Sequence, residues 1–169
     1  MCWAIYLDSF AGGYDVHHNI TYRNSHGGIM LQGGKDNKVW NNVFADSAIT
    51  QGLFANFADN TRGNVFERNI MYFTEPNASL FWAYNCHEGV MTADRNLYWH
   101  AGSDKPLGTA GVASFADWQK GGQDTNSVIA DPLFVSPEKD NFALKADSPA
   151  SKLGFEAIDT REIGIRKAR

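Results

Sequence analysis

Apolar and polar positions along the first hundred residues recur as one unit, clearest in residues 28–44, GIMLQGGKDNKVWNNVF. A short apolar run, Ile29-Met30-Leu31, turns through Gly33-Gly34-Lys35-Asp36-Asn37. It resumes at Val39 as a second run with the signature apolar, two free positions, asparagine, apolar. That signature returns around Asn19, Asn42, Asn69 and Asn96, in steps of 23, 27 and 27 residues. The other run returns as Ile5-Tyr6-Leu7-Asp8, Ile29-Met30-Leu31-Gln32, Leu53-Phe54-Ala55-Asn56 and Leu80-Phe81-Trp82-Ala83, in steps of 24, 24 and 27. Two markers that keep one beat define a repeat protein.

Repeats of this length also suit helical arrays and leucine-rich repeats. The units are rich in Asn, Gly, Thr, Tyr and Phe, which favour strands and turns over helix interiors, and no leucine ladder is present. A parallel β-helix remains: an all-β solenoid in which each period is one coil of short strands, stacked at about 4.8 Å. Asparagines at equivalent turns then hydrogen-bond from coil to coil. Asn19, Asn42, Asn69 and Asn96 are expected to form such a ladder, with a structural role. Gly12-Gly13, Gly27-Gly28, Gly33-Gly34 and Gly63-Asn64 mark turns, and Asp15 and Asp36 within them read as turn-forming residues.

Residues 1–100 make about four coils, and 101–169 read as further coil and a less regular C-terminal cap of the same domain. Asp104 to Gly108 reads as a loop. Ser114 and Asp117 frame the start of a short helix that Gly121-Gly122 ends. Strand-like Ser127 to Ala130, a turn at Pro137 to Asn141, and Phe142 to Lys145 follow. Met1-Cys2-Trp3 runs straight into a strand without a polar capping unit. The expectation is therefore a C-terminal portion of a longer protein, with coils missing at the N-terminal end, or self-association at that open end.

Composition narrows the function classes. The net charge is −4 and the basic residues are scattered apart from a short C-terminal cluster, which argues against nucleic acid. No apolar run reaches membrane-spanning length. Cys2 and Cys86 lie far apart without metal-ligand spacing, His26 and His87 have no second ligand at such spacing, and neither metal nor cofactor is expected. Strand alternation places Ile5 and Leu7 inward and Tyr6 and Asp8 outward. Aligning the four runs extends the outward columns to Tyr6, Met30, Phe54, Phe81 and to Asp8, Gln32, Asn56, Ala83. Aromatic rings beside amides and carboxylates suit a sugar chain. Tyr6, Gln32, Phe54, Asn56 and Phe81 are the expected binding residues for a polysaccharide or oligosaccharide. Of His17 and His18, alternation lets only one face outward.

The run from Gly122 to Val135, with Asn141 to Lys145, Asp147 to Ala150 and Leu153 to Phe155, closely resembles the C-terminal end of bacterial right-handed parallel β-helix repeat proteins of the pectin-lyase-like superfamily. Ile5 to Asp8, Gly33 to Asn37, Asn41 to Phe44 and Arg95 to Trp99 resemble the preceding coils. The resemblance covers nearly the whole chain. It implies a single-stranded right-handed β-helix, a secreted or periplasmic location and carbohydrate-directed activity, with β-helical glycoside hydrolases of the fucosidase and xylanase type, polysaccharide lyases and non-catalytic proteins all among its members. A glycoside hydrolase is favoured. Hydrolysis uses two carboxyl groups, and Asp8 and Asp46 match acidic positions of the hydrolase-like relatives. Glu67 and Glu88 stand in reserve for the second carboxyl. The competing role for Asp46 is an ion pair with Arg23 one coil away. A lyase would draw on Arg23, Lys35, Lys38 or Arg62; a purely binding or structural β-helix would need none of these.

Overall fold

The computed structural model describes residues 2–57, 61–87, 89–103 and 107–161. Most of the expected Asp104–Gly108 loop, Glu88 and most of the C-terminal basic cluster lie outside the described residues. The chain winds as a parallel β-solenoid of four three-stranded coils. They are β1 (Trp3–Leu7), β2 (Asp15–His17) and β3 (Ile20–Tyr22); β4 (Gly27–Gln32), β5 (Lys38–Trp40) and β6 (Val43–Ala45); β7 (Thr50–Ala55), β8 (Asn64–Glu67) and β9 (Ile70–Phe73); and β10 (Ser79–Tyr84), β11 (Met91–Asp94) and β12 (Leu97–His100). A partial fifth coil follows with β13 (Thr109–Ala110), helix α1 (Phe115–Lys120) and β14 (Val128–Ile129). An antiparallel pair, β15 (Phe134–Ser136) and β16 (Asn141–Leu144), comes last. Equivalent strands stack into three parallel sheets: β1-β4-β7-β10-β13, β2-β5-β8-β11 and β3-β6-β9-β12-β14.

The asparagine ladder stands at the corner between the second and third sheets. Asn19 Nδ2 donates to Asn42 Oδ1 at 2.9 Å, Asn42 Nδ2 to Asn69 Oδ1 at 2.9 Å, and Asn69 Nδ2 to Asn96 Oδ1 at 3.3 Å. Each Oδ1 also accepts the backbone N–H of the asparagine one coil before, at 2.8–3.0 Å. The ladder thus satisfies amide groups that the turn withdraws from the sheets. The preceding residues, His18, Asn41, Arg68 and Arg95, all have φ between 52° and 55°. This is a left-handed conformation that side-chain-bearing residues adopt only when their surroundings fix it. A second, shorter ladder joins Asn37 to Asn64 at the corner after the first sheet, Nδ2 to Oδ1 at 3.0 Å. There Gly34 has φ 79°, and a Cβ would collide with the Ala11 carbonyl.

The bore of the solenoid is apolar. Ile29, Leu31, Phe44, Phe54, Phe66, Met71, Phe73, Leu80, Phe81 and Tyr98 are buried in it. Helix α1 closes one end: its Trp118 and Phe115 rings lie 5.1 and 6.5 Å from Phe81. The helix begins where expected, with Ser114 Oγ accepting the Asp117 N–H at 3.1 Å, and Gly121 follows its last residue.

The less regular C-terminal part continues through residues 131–158. They run back along the outer side of the third sheet, where Phe134, Phe142, Ala150 and Phe155 cover Val43, Ala45, Ile70, Tyr72 and Leu97 in a second core. The reason lies in the strands: Ile70-Met71-Tyr72-Phe73 is apolar on both faces, as a sheet buried on both sides must be. Arg23 to Asp140 at 2.7 Å and Asn41 Nδ2 to the Glu156 carbonyl at 2.9 Å tie this segment to the first two coils.

Candidate functional site

The first sheet presents its outer face without such a cover among the described residues. Cα register aligns Tyr6, Met30, Leu53, Trp82 and Ala110 in one column. Tyr6 is 47% exposed, and Met30 and Trp82 are half-buried. This corrects the expected column. Phe54 pairs with Leu31 and Ala83, Phe81 pairs with Gly52, and both phenylalanines point into the bore at 1% and 0% exposure. The step from Met30 to its partner is 23 residues, not 24, and a slip of one residue exchanges the two faces of a strand.

Around this column the sheet carries a row of rings. Trp3 lies against the backbone of Gly27, where any Cβ would overlap its ring. Its centroid is 4.9 Å from His26, and His26 is 5.6 Å from Trp82, both edge-on. Burial among these rings holds the His26 pKa below its ordinary value. Trp3 and Trp82 are not among the expected binding residues, and His26 is weighed only as a metal ligand; Gly27 opposite Trp3 is the signal that was available.

Beside the rings is a polar group. Tyr6 Oη lies 2.8 Å from Gln32 Oε1 and 3.1 Å from Asp8 Oδ1. One hydroxyl proton serves one acceptor. Turning the Gln32 amide end for end lets it donate to Tyr6 while Tyr6 donates to Asp8. Asp8 Oδ1 also accepts the Ser9 N–H at 2.8 Å and its hydroxyl at 3.2 Å. The Ser9 N–H foremost, with the Tyr6 and Ser9 hydroxyls, holds the exposed Asp8 carboxyl below its ordinary pKa, so it stands ionised at neutral pH. Asp8 pulls the other way on Tyr6, whose pKa is raised by desolvation and then by this carboxylate. Tyr84, 39% exposed, continues the register of Gln32 and Ala55.

The other candidates separate. Asn56 is buried at the next corner, where its Nδ2 donates to Cys86 Sγ at 3.2 Å and its backbone carbonyl accepts from Asn85. Asp46 lies at the opposite end of the first sheet from Asp8, before β7, with φ 49°. The six-residue strands of this sheet put the two ends on the order of 20 Å apart. A hydrolytic pair needs about 5–9.5 Å, so the fold does not bring Asp8 and Asp46 together. Asp46 Oδ1 accepts the Thr74 N–H and hydroxyl at 2.8 and 2.9 Å. Arg23, expected as its ion-pair partner, turns to Asp140 instead.

His17 and His18 are both on the surface, with Nδ1 atoms 2.9 Å apart. The left-handed turn at His18 breaks the alternation that would have separated them. His17 stacks on Trp40 at 4.7 Å, and the Arg68 guanidinium lies 5.0 Å from the same ring. Glu67 bridges Arg68 at 3.0 Å and also Arg95. Asp15, read as a turn residue, sits on β2 and accepts the Trp40 indole N–H at 2.5 Å. Lys35 and Arg62 pair through their backbones at the corner after the first sheet, and Lys38 begins β5; none of the three is on the first sheet's outer face. Cys2 and Cys86 are free thiols. No helix among the described residues is long and apolar enough to cross a membrane. Comparison with family models, curated proteins and solved structures gives no match.

Proposed function

We propose that the protein is a carbohydrate-binding β-helix that holds a polysaccharide or oligosaccharide across the outer face of its first sheet. The observation that carries this reading is the adjacency of the Tyr6–Asp8–Gln32 hydrogen-bonded group to the rings of Trp3, Tyr6 and Trp82 on one uncovered face. Flat rings cover the apolar faces of pyranose units, and an ionised carboxylate and an amide bind hydroxyls. The coils repeat at about 4.8 Å, so residues one and two coils apart meet successive parts of an extended chain. The resemblance to pectin-lyase-like β-helix proteins supports the same ligand class.

Glycoside hydrolysis is the second reading, favoured by Asp8, whose bonds keep it ionised as a nucleophile or base must be. Its acid partner is then a carboxyl other than Asp46. The lyase reading lacks a cationic residue on this face among the described residues.

Affinity electrophoresis against a panel of neutral and acidic polysaccharides tests the binding. One glycan is expected to retard the protein, and Trp82→Ala or Tyr6→Ala to weaken retention about 3- to 10-fold, the scale of a lost ring contact or hydrogen bond. Retention by both variants equal to wild type, with folding intact, refutes this face as the site.

A further inference from the structure

A groove of about 480 Å³ opens at the corner between the third and first sheets, on the other side of the molecule's strand ends from Asp8. Its walls come from three separate pieces of chain: Asp46 at the corner of the second coil, Tyr72 and Glu75 at that of the third, and Pro137 and Glu138 in the 3₁₀ turn of the returning segment. Arg23 also lines the groove, but its guanidinium is paired with Asp140 at 2.7 Å and donates to the Glu138 carbonyl at 3.5 Å. Three carboxylates therefore face the groove without a matching cation among the described residues.

Their free valences are specific. Asp46 uses only Oδ1 on Thr74, which leaves Oδ2 available. Glu75 spends one oxygen on the Asn77 N–H at 3.3 Å. The Glu138 side chain has no hydrogen bond or ion pair among the described residues. At the floor is Tyr72, 8% exposed, its ring edge-on to Phe134 at 5.5 Å. Its hydroxyl has no hydrogen-bond partner among the described residues and is not sealed from the groove that the residue lines. Burial raises the Tyr72 pKa, and the charges of Asp46, Asp131 and Glu138 raise it further; of these, Asp46 and Glu138 line the groove with Tyr72.

We propose that this groove binds a small molecule bearing an ammonium group, of about the size of an amino sugar. An ammonium offers three N–H donors and accepts nothing; the groove offers Asp46 Oδ2, the Glu138 carboxylate and Tyr72 Oη as acceptors. A bare metal ion fits less well: no three His, Cys, Asp or Glu among the described residues are placed to hold one. The volume is that of a small-molecule site. The proposal is independent of the glycan face on the first sheet, which shares none of these residues.

The test is a titration of the ¹⁵N-labelled protein at pH 7 and low salt with glucosamine, N-acetylglucosamine and calcium chloride, read at the backbone amides of Thr74 and Glu138. Glucosamine is expected to shift these amides saturably. N-acetylglucosamine, which lacks the charge, is expected to bind at least tenfold more weakly, and calcium not to compete. Glu138→Gln, a surface change with no contact to lose, is expected to weaken glucosamine about tenfold, the value of one charge-assisted hydrogen bond. Tyr72→Phe keeps the ring in the second core and is expected to weaken it several-fold. Absence of saturable shifts with glucosamine overturns the proposal. So does equal binding of N-acetylglucosamine, displacement by calcium, or unchanged affinity in Glu138→Gln.

Discussion

Replacing Asn69 by alanine tests whether the asparagine ladder holds the coils together. Asn69 Oδ1 accepts two bonds from Asn42, from its backbone N–H at 3.0 Å and from Nδ2 at 2.9 Å. Asn69 Nδ2 donates to the Val39 carbonyl at 3.0 Å and to Asn96 Oδ1 at 3.3 Å. After truncation, Asn42 Nδ2 keeps the Val16 and Trp40 carbonyls, and Asn96 Oδ1 keeps the Asn69 N–H. The Asn42 backbone N–H keeps nothing, and Asn42 is fully buried. One orphaned buried donor costs about 1–3 kcal/mol, and each further bond lost contributes about 0.5–1.5 kcal/mol. The expected loss is about 3–5 kcal/mol. Asn19 is the internal control. It donates to the His17 carbonyl and to Asn42 Oδ1, while its own Oδ1 accepts nothing among the described residues. Asn19→Ala therefore strands no buried donor and is expected to cost about 1 kcal/mol. Urea unfolding followed by circular dichroism and tryptophan fluorescence compares the two, with the denaturant slope checked for constancy. A loss at Asn69 no larger than at Asn19 refutes the ladder as the source of stability.

Asp124 is fully buried and closes the ladder, accepting Asn96 Nδ2 at 2.8 Å, Ser127 Oγ at 2.5 Å, Trp118 Nε1 at 2.7 Å and Tyr98 Oη at 2.9 Å. Burial raises its pKa against these bonds, so its proton-bound folded form adds stability that is complete below the unfolded-state value near 3.9 and is lost as pH rises through the folded value. Asp124→Asn, which leaves one of the donors unmatched, is expected to cost about 1–3 kcal/mol. Its deficit relative to wild type should be widest near pH 4 and narrow towards pH 7; a deficit that widens with pH refutes the direction. The Cys86 thiol is pushed up to about 12 by burial, against bonds from its neighbours, whereas Cys2 is exposed. Because the thiolate is the reactive form, native protein at pH 8 should take up one equivalent of iodoacetamide promptly, at Cys2, and the second only on unfolding. Rapid labelling of both, mapped by mass spectrometry, contradicts the packing around Cys86.

The coil period and the ladder were legible in the sequence because few residues can replace an asparagine whose amide must both donate and accept at one corner. Helix α1 was legible for a similar reason, through Ser114, Asp117 and the glycine pair. The phase of the third coil was not. Gly52 occupies an inward position, where a Cβ would approach Met71 Cε to 2.9 Å, so the apolar mark that should begin β7 is absent. Leu53 then looks like the first inward residue when it is outward, and Phe54 changes faces with it. The two histidines were misplaced because alternation assumes extended backbone, and His18 is left-handed. The separation of Asp8 from Asp46 follows from the corner that each occupies, which a match of single positions to relatives does not encode.

The outer faces of the three sheets differ in how far their own partners occupy them among the described residues. The outer side of the third is filled by Phe134, Phe142 and Phe155, and stripping it would expose the second core. The second sheet and its corner are occupied by partners of their own: Asp15 with Trp40, His17 stacked on the same ring, Arg68 over it, and Glu67 between two arginines. A ligand there would have to displace bonds already made. On the first sheet the aromatic rings touch one another only edge-on, Tyr6 is nearly half exposed, and Asp8 retains an oxygen free of partners among the described residues. Exposed apolar ring surface raises the free energy of the unliganded protein relative to a face that covers its own rings, while the exposed Asp8 carboxylate keeps an acceptor for a hydroxyl that replaces its water. The proposed glycan would cover the rings and donate its hydroxyls to Asp8 and Gln32 in place of water, whereas a purely apolar ligand would leave the carboxylate desolvated.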